Sequence, residues 1–163
     1  MIRGFISYAH DDHRALDELC KNLSALERAF DIDFWRDKRI RGGDYWTGKV
    51  EAAIDAARVH LLLVTPSFID RAYIMDQELP AINAKYRNAG DLVVPILLDR
   101  CVWSPFIDTL QAVPTSPQGR LLPVTEWKPQ KHGYHAVCEQ IGEALSDFLG
   151  SVPGPMWNWR RDP

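Results

Sequence analysis

The chain has 163 residues, enough for one domain with a core of its own. A hydrophobic content of 46% and a charged content of 25% are those of an ordinary soluble globular protein, and a net charge of -3 argues against a general nucleic-acid binder. No apolar run approaches the roughly 20 residues that a membrane span needs, and the N-terminus enters a strand-like segment without a signal-peptide layout.

Five strand-like runs recur: "GFISY" (4–8), "DIDFW" (31–35), "VHLLLVT" (59–65), "DLVVPILL" (91–98) and "LLPVTEW" (121–127). Three are nearly continuous apolar runs, as in strands covered on both faces. Helical patterns lie between them. Leu16, Leu19, Leu23, Leu26 and Phe30 share one face after the first run, with Asp11 or Asp12 placed to cap. Trp46, Val50, Ala53, Ile54 and Ala57 do so after the second, with Asp44 as the expected cap. After the third run, Phe68, Ala72, Met75, Leu79, Ile82 and Tyr86 form a stripe spaced 4-3-4-3-4. Pro80 lies inside this helix and is expected to kink or divide it. At about 100° per residue, Glu78 falls roughly 80° from the stripe's centre, at the edge of the buried face. Asp76 lies about as far to the other side.

The fourth connection is rich in proline and turn residues, with one short helix expected from Ser104 to Val113. Tyr134, Val137, Cys138, Ile141, Leu145 and Phe148 form the last apolar face. Residues 1–150 thus read as one domain. The tail, residues 151–163, reads as a linker or C-terminal segment, with Trp157 and Trp159 either packing back or opening a second unit. The scattered Cys20, Cys101 and Cys138 read as reduced thiols of a cytoplasmic protein.

Alternating strands and helices imply an α/β fold. The element count favours a flavodoxin-like open five-stranded parallel sheet, order 2-1-3-4-5, with helices on both faces. Ligands then bind beyond the carboxyl ends of the strands. That edge carries "AHDDH" after the first strand, "KRIRGGDYW" after the second and Thr65-Pro66-Ser67 after the third. A receiver domain needs an aspartate where Val64-Thr65 stands. The acidic "AHDDH" does not suit a flavin phosphate, and no GxGxxG, GxxxxGK[ST] or GxSxG occurs. His10, Asp11, Asp12 and His13 have the residue types of metal ligands, but a polar loop with a helix cap accounts for them, and no metal is expected. "RDKRIR" (36–41) reads either as a solvated turn or as a contact to phosphates or another subunit.

Three segments in this order and spacing, "GFISYAHDD", "FWRDKRIRGGDYW" with "AIDAARVHLLLVTPSFI", and "DQEL", resemble the three boxes of Toll/interleukin-1 receptor (TIR) domains, the bacterial kind in particular. The resemblance covers about residues 2 to 149. It implies the flavodoxin-like fold and one of two functions: a module that only binds other TIR domains, or an enzyme that cleaves NAD+ between ribose and nicotinamide, often in bacterial anti-phage defence. In the enzymatic reading NAD+ is substrate, no further cofactor is required, and Glu78 is the catalytic residue. The family's "E-L" pattern selects it over Asp76. Ser7, Tyr8, Asp37, Gly43, Trp46, Ser67 and Tyr73 are implied around the substrate. Arg39, Ile40, Arg41, Gly42 and Tyr45 belong to a loop through which such domains self-associate, and a sensor domain or partner protein supplies the activating signal. NAD-cleaving members commonly carry tryptophan four residues before the glutamate, where this chain has Ile74 with Tyr73 beside it. A nucleoside deoxyribosyltransferase-like enzyme shares the architecture and a glutamate after a strand, but its other motifs are not seen.

Overall fold

A computed structural model describes residues 1–36, 46–103, 107 and 110–150, and every structural statement below concerns those residues. The chain alternates β1 (Ile2–Ser7), α1 (His13–Phe30), β2 (Ile32–Trp35), α2 (Trp46–Ala56), β3 (Val59–Val64), α3 (Pro66–Asp70), α4 (Leu79–Ala89), β4 (Leu92–Leu97) and α5 (Gln130–Leu149). A single π-helical turn, Ile74–Glu78, leads directly into α4.

The strands are parallel, as the alternating pattern implies, and ordered β2-β1-β3-β4, the first four places of the favoured order. The expected fifth strand does not form among the described residues. Leu121 makes an isolated antiparallel bridge to Thr115, and Val124–Glu126 is a 3₁₀ turn. Pro123 in this run has no N–H to give to a ladder. The outer edge of β4 is met instead by Val113, whose N–H bonds Pro95 O at 2.9 Å and whose carbonyl accepts from Leu97 N at 2.8 Å. Thr125 N reaches Leu98 O at 3.0 Å. The helix expected to run to Val113 stops short of it: Ile107 is helical, but Val113 is already in its bridge to Ile96. Asp31, expected to open β2, instead ends α1 in the left-handed conformation, with φ 54°.

Period-two alternation divides the core in two. Ile6, Phe34, Leu61, Leu63 and Ile96 face α1 and α5, meeting Leu16, Leu19, Leu23, Leu26, Val137, Ile141 and Leu145. Phe5, Leu62, Val64, Val93 and Leu97 face α2 and α4, meeting Val50, Ile54, Phe68 and Ile82. Ser7 is two residues beyond Phe5 and shares its face, which sets up the site below. Cys138 belongs to the first layer, and burial pushes its thiol up to about 12, far from a reactive thiolate.

Two features set expectations for stability. At β1, a Cβ on Gly4 would lie 2.3 Å from Phe34 Cδ1, and the Phe34 ring is itself fully buried. Gly4→Ala should therefore lower unfolding free energy by about 1–3 kcal/mol; a denaturant midpoint equal to that of the wild type would contradict this packing. Below the sheet, the fully buried Asp91 carboxylate accepts from Arg58 Nε at 3.1 Å and His60 Nε2 at 3.0 Å, with Lys85 Nζ at 3.4 Å. Burial holds His60 below its ordinary value of 6.5, with the Asp91 carboxylate opposing, and its Nδ1 has no hydrogen-bond partner. A depressed folded-state value means the unfolded chain takes the proton first. This contribution is therefore complete above about pH 6.5 and is lost as pH falls through the folded value. Between about pH 8 and about pH 5 the wild type should lose more denaturant resistance than His60→Gln; equal losses would assign no such role to His60.

Candidate active site

The helix after β3 does not run as one regular rod. Thr65 caps α3, its Oγ1 accepting from Phe68 N at 3.0 Å, and Arg71 then takes an extended backbone (φ -81°, ψ 107°). The chain re-enters helix at Ala72 and widens into the π turn, in which Leu79 N donates to Ile74 O, five residues back. Pro80 follows immediately. It has no N–H for the Asp76 carbonyl and its ring would crowd that group in a regular α-helix, so a wider turn accommodates it.

The extra residue in that turn rotates the helix relative to the expected stripe. Ile74, Glu78, Leu79 and Ile82 are buried, whereas Ala72 is exposed, Met75 half-buried and Tyr86 exposed. Glu78 thus moves from the flank of the helix to its buried face, with 8% of its surface left to solvent. A carboxylate in such a place needs polar company. Ser7, 1% exposed at the end of β1, directs its hydroxyl at Glu78 Oε1 from 3.4 Å, a loose contact for an O–H donor.

Glu78 borders a hollow of about 150 Å³ lined by Phe5, Ile6, Tyr8, Ala9, His10, Trp35, Val50, Arg71, Tyr73 and Ile74. The floor is aromatic: Phe5 and Trp35 stack with ring centroids 5.5 Å apart, and Tyr8 meets His10 edge-on at 6.0 Å. Whole small-molecule sites run to roughly 300–1,000 Å³. This space suits one ring or sugar rather than a complete dinucleotide. Glu78 and Tyr73 also border a second hollow, toward Glu51, Asp55 and Gln77.

The loop after β1 is tied to the segments that follow β3. Arg71 Nη2 bonds Asp11 Oδ1 at 2.9 Å, and Thr65 Oγ1 bonds Asp12 Oδ2. The sequence led one to expect a side-chain cap on α1 from Asp11 or Asp12; instead Asp12 bonds Thr65 at the end of β3 and Asp11 bonds Arg71 at the end of α3. Burial raises the Asp12 carboxyl above its ordinary value, and the Thr65 bond opposes this. His13 is an exposed residue whose Nδ1 contacts His10 O at 3.2 Å. The side chains of His10, Asp11 and Asp12 thus go to Tyr8, Arg71 and Thr65 respectively.

Of the residues implied around the substrate, the structure brings Ser7, Tyr8 and Tyr73 together at or beside Glu78. Ser67 is placed elsewhere. It lines a hollow on the α1/α5 side with Asp12, Thr65, Asp99, Thr125 and Tyr134, because Thr65 follows β3 on the face opposite Val64. Trp46 opens α2, its side chain outside the described residues. Asp37, Arg39, Ile40, Arg41, Gly42, Gly43 and Tyr45, and the expected cap Asp44, also lie outside them. Two lining residues, Trp35 and Arg71, had not been singled out, and a third, His10, had been weighed only as a metal ligand or part of a polar loop. Trp35 pairs with Phe5 across the β1–β2 ladder and so faces the same side. His10 lies in a loop that reads as merely polar, and Arg71 stands at a break in a helix that the stripe shows as continuous.

Comparison with known proteins agrees with this fold. The family model described as TIR domain matches residues 5–123. An uncharacterized protein of Sinorhizobium fredii (strain NBRC 101917 / NGR234), y4lF, is 32% identical over 153 residues; the match covers 93% of this chain and 46% of that relative. This chain therefore spans about half the length of that relative. Four parallel strands in the β2-β1-β3-β4 order and a family match across most of the chain lead to one conclusion: the chain belongs to the TIR domain family.

Proposed function

We propose that the domain is an NAD+ glycohydrolase that breaks the bond between nicotinamide and ribose, with Glu78 as the catalytic residue. TIR domains include both NAD-cleaving enzymes and interaction modules. The observation that favours catalysis here is the placement of the Glu78 carboxylate: 8% exposed, 3.4 Å from the Ser7 hydroxyl, at the wall of a sugar-sized hollow.

The chemistry needs little else. Glycoside hydrolysis ordinarily uses two carboxyl groups, one of which protonates the departing oxygen. Nicotinamide in NAD+ carries a positive charge and leaves with the bonding electron pair as a neutral base, so no acid is required. Positive charge then develops on the ribose. A fixed carboxylate beside the sugar stabilises that charge as it forms, more strongly in a half-enclosed site than in water. Water adds at the anomeric carbon and loses a proton, giving ADP-ribose. Attack by the adenine ring of the same molecule would instead give a cyclic product. NAD+ is substrate in this scheme and no cofactor takes part.

Self-association through the Arg39–Tyr45 loop is proposed as the activating step, under control of a sensor domain or partner protein, in bacterial anti-phage defence. The family's self-association and the small size of the hollow support an activity that rises on assembly.

Concentrated or crowded wild-type protein should release nicotinamide from NAD+, with products resolved by mass. Glu78→Gln should lower the rate by about 10²-fold or more while keeping the fold. If the wild type releases none in any assembled state, or Glu78→Gln turns over like the wild type, the proposal fails.

A further inference from the structure

Two formal charges line the Glu78 hollow among the described residues, and they have opposite signs and depths. Glu78 is buried at the inner wall, whereas Arg71 has 47% of its side chain exposed at the rim. A ligand that matches this polarity has a sugar or cationic ring inside and an anion outside. The volume argues the same way. About 150 Å³ takes the ring or sugar end of a nucleotide and leaves its 5′ substituent at the mouth, beside Arg71.

Arg71 is also held for such a task. It stands in extended backbone at the break between α3 and the π turn, so its direction does not follow a helix face. Its Nη2 is bonded to Asp11 of the β1 loop at 2.9 Å. A guanidinium carries five N–H donors in a fixed fork. One contact to Asp11 orients the fork without exhausting it, and a planar fork matches phosphate oxygens.

We infer that Arg71 is the phosphate-reading residue of this site, and that the domain takes 5′-phosphorylated pyridinium ribosides, mononucleotide and dinucleotide alike, in preference to the bare riboside. Asp11 is a positioning residue that acts through Arg71. The inference rests on the glycohydrolase reading for the reaction, but not for the binding.

The test compares nicotinamide release from NAD+, nicotinamide mononucleotide and nicotinamide riboside by the wild type, Arg71→Gln, Arg71→Lys and Asp11→Asn, each checked for native circular dichroism. Arg71→Gln should raise KM for both phosphorylated substrates at least about tenfold with kcat little changed, and leave the riboside unaffected. Arg71→Lys should recover part of the loss. Asp11→Asn, which removes the ion pair but keeps the guanidinium, should retain most of the phosphate preference. Equal effects on all three substrates, no effect, or an Asp11→Asn variant as defective as Arg71→Gln would overturn the assignment. Should the wild type release no nicotinamide, the glycohydrolase reading falls and equilibrium binding decides this one. Ribose 5-phosphate bound more tightly than ribose, with the difference abolished in Arg71→Gln, sustains the role of Arg71; no difference overturns it.

Discussion

The site depends on a local helical defect. The wider turn Ile74–Glu78, immediately before Pro80, rotates Glu78 from a solvated flank onto the buried face, opposite the end of β1. A regular α-helix through the same residues would keep the apolar stripe in register and leave the carboxylate at its margin. The Ser7 hydroxyl, the aromatic floor of Phe5 and Trp35, and Tyr73 have chemical meaning because the acid points toward them. Proline in a helix removes one hydrogen bond and adds a steric conflict. Here that conflict is resolved in the direction that serves the cleft.

The sheet supplies the other half of the constraint. Parallel strands bring the ends of β1 and β3 to one edge, and period-two alternation assigns side chains to faces. Phe5 and Ser7 fall on the side of α2 and the π turn. Asp12, Thr65 and Ser67 fall on the side of α1 and α5, where they line a separate polar hollow. Asp12 bonds Thr65 beside this hollow, whereas its neighbour Asp11 bonds Arg71, which lines the Glu78 hollow. His10 and Asp12, two residues apart in one polar run, therefore line different hollows.

Much of this was legible in the sequence. The apolar faces of α1 and α5 are long, strongly periodic and buried as expected. The continuous apolar runs became strands buried on both faces, β3 inside the sheet and β4 at its edge, where Val113 meets it. What failed did so for particular reasons. The "LLPVTEW" run has the apolar content of a strand, but Pro123 and the competing bond from Thr125 to Leu98 leave only single contacts to the β4 edge. The stripe after β3 was read with a uniform period, so the π turn was invisible and Glu78 appeared less buried than it is. Trp35 and Arg71 were missed because each owes its place to a register or a chain break, neither of which the residue itself announces. The choice of Glu78 over Asp76 came from family resemblance, and periodicity alone offered no basis for it.

The central claim is that the Glu78 carboxylate meets the ribose of a nicotinamide nucleotide inside this hollow. A crystal structure of the Glu78→Gln variant with NAD+ tests it most directly. The account predicts the nicotinamide ribose seated between residue 78, Ser7 and Tyr73, with the ribose hydroxyls within hydrogen-bonding reach of the residue 78 side chain, roughly 2.6–3.2 Å. A nucleotide bound elsewhere on the domain, or a residue 78 side chain turned away from the sugar, would contradict it.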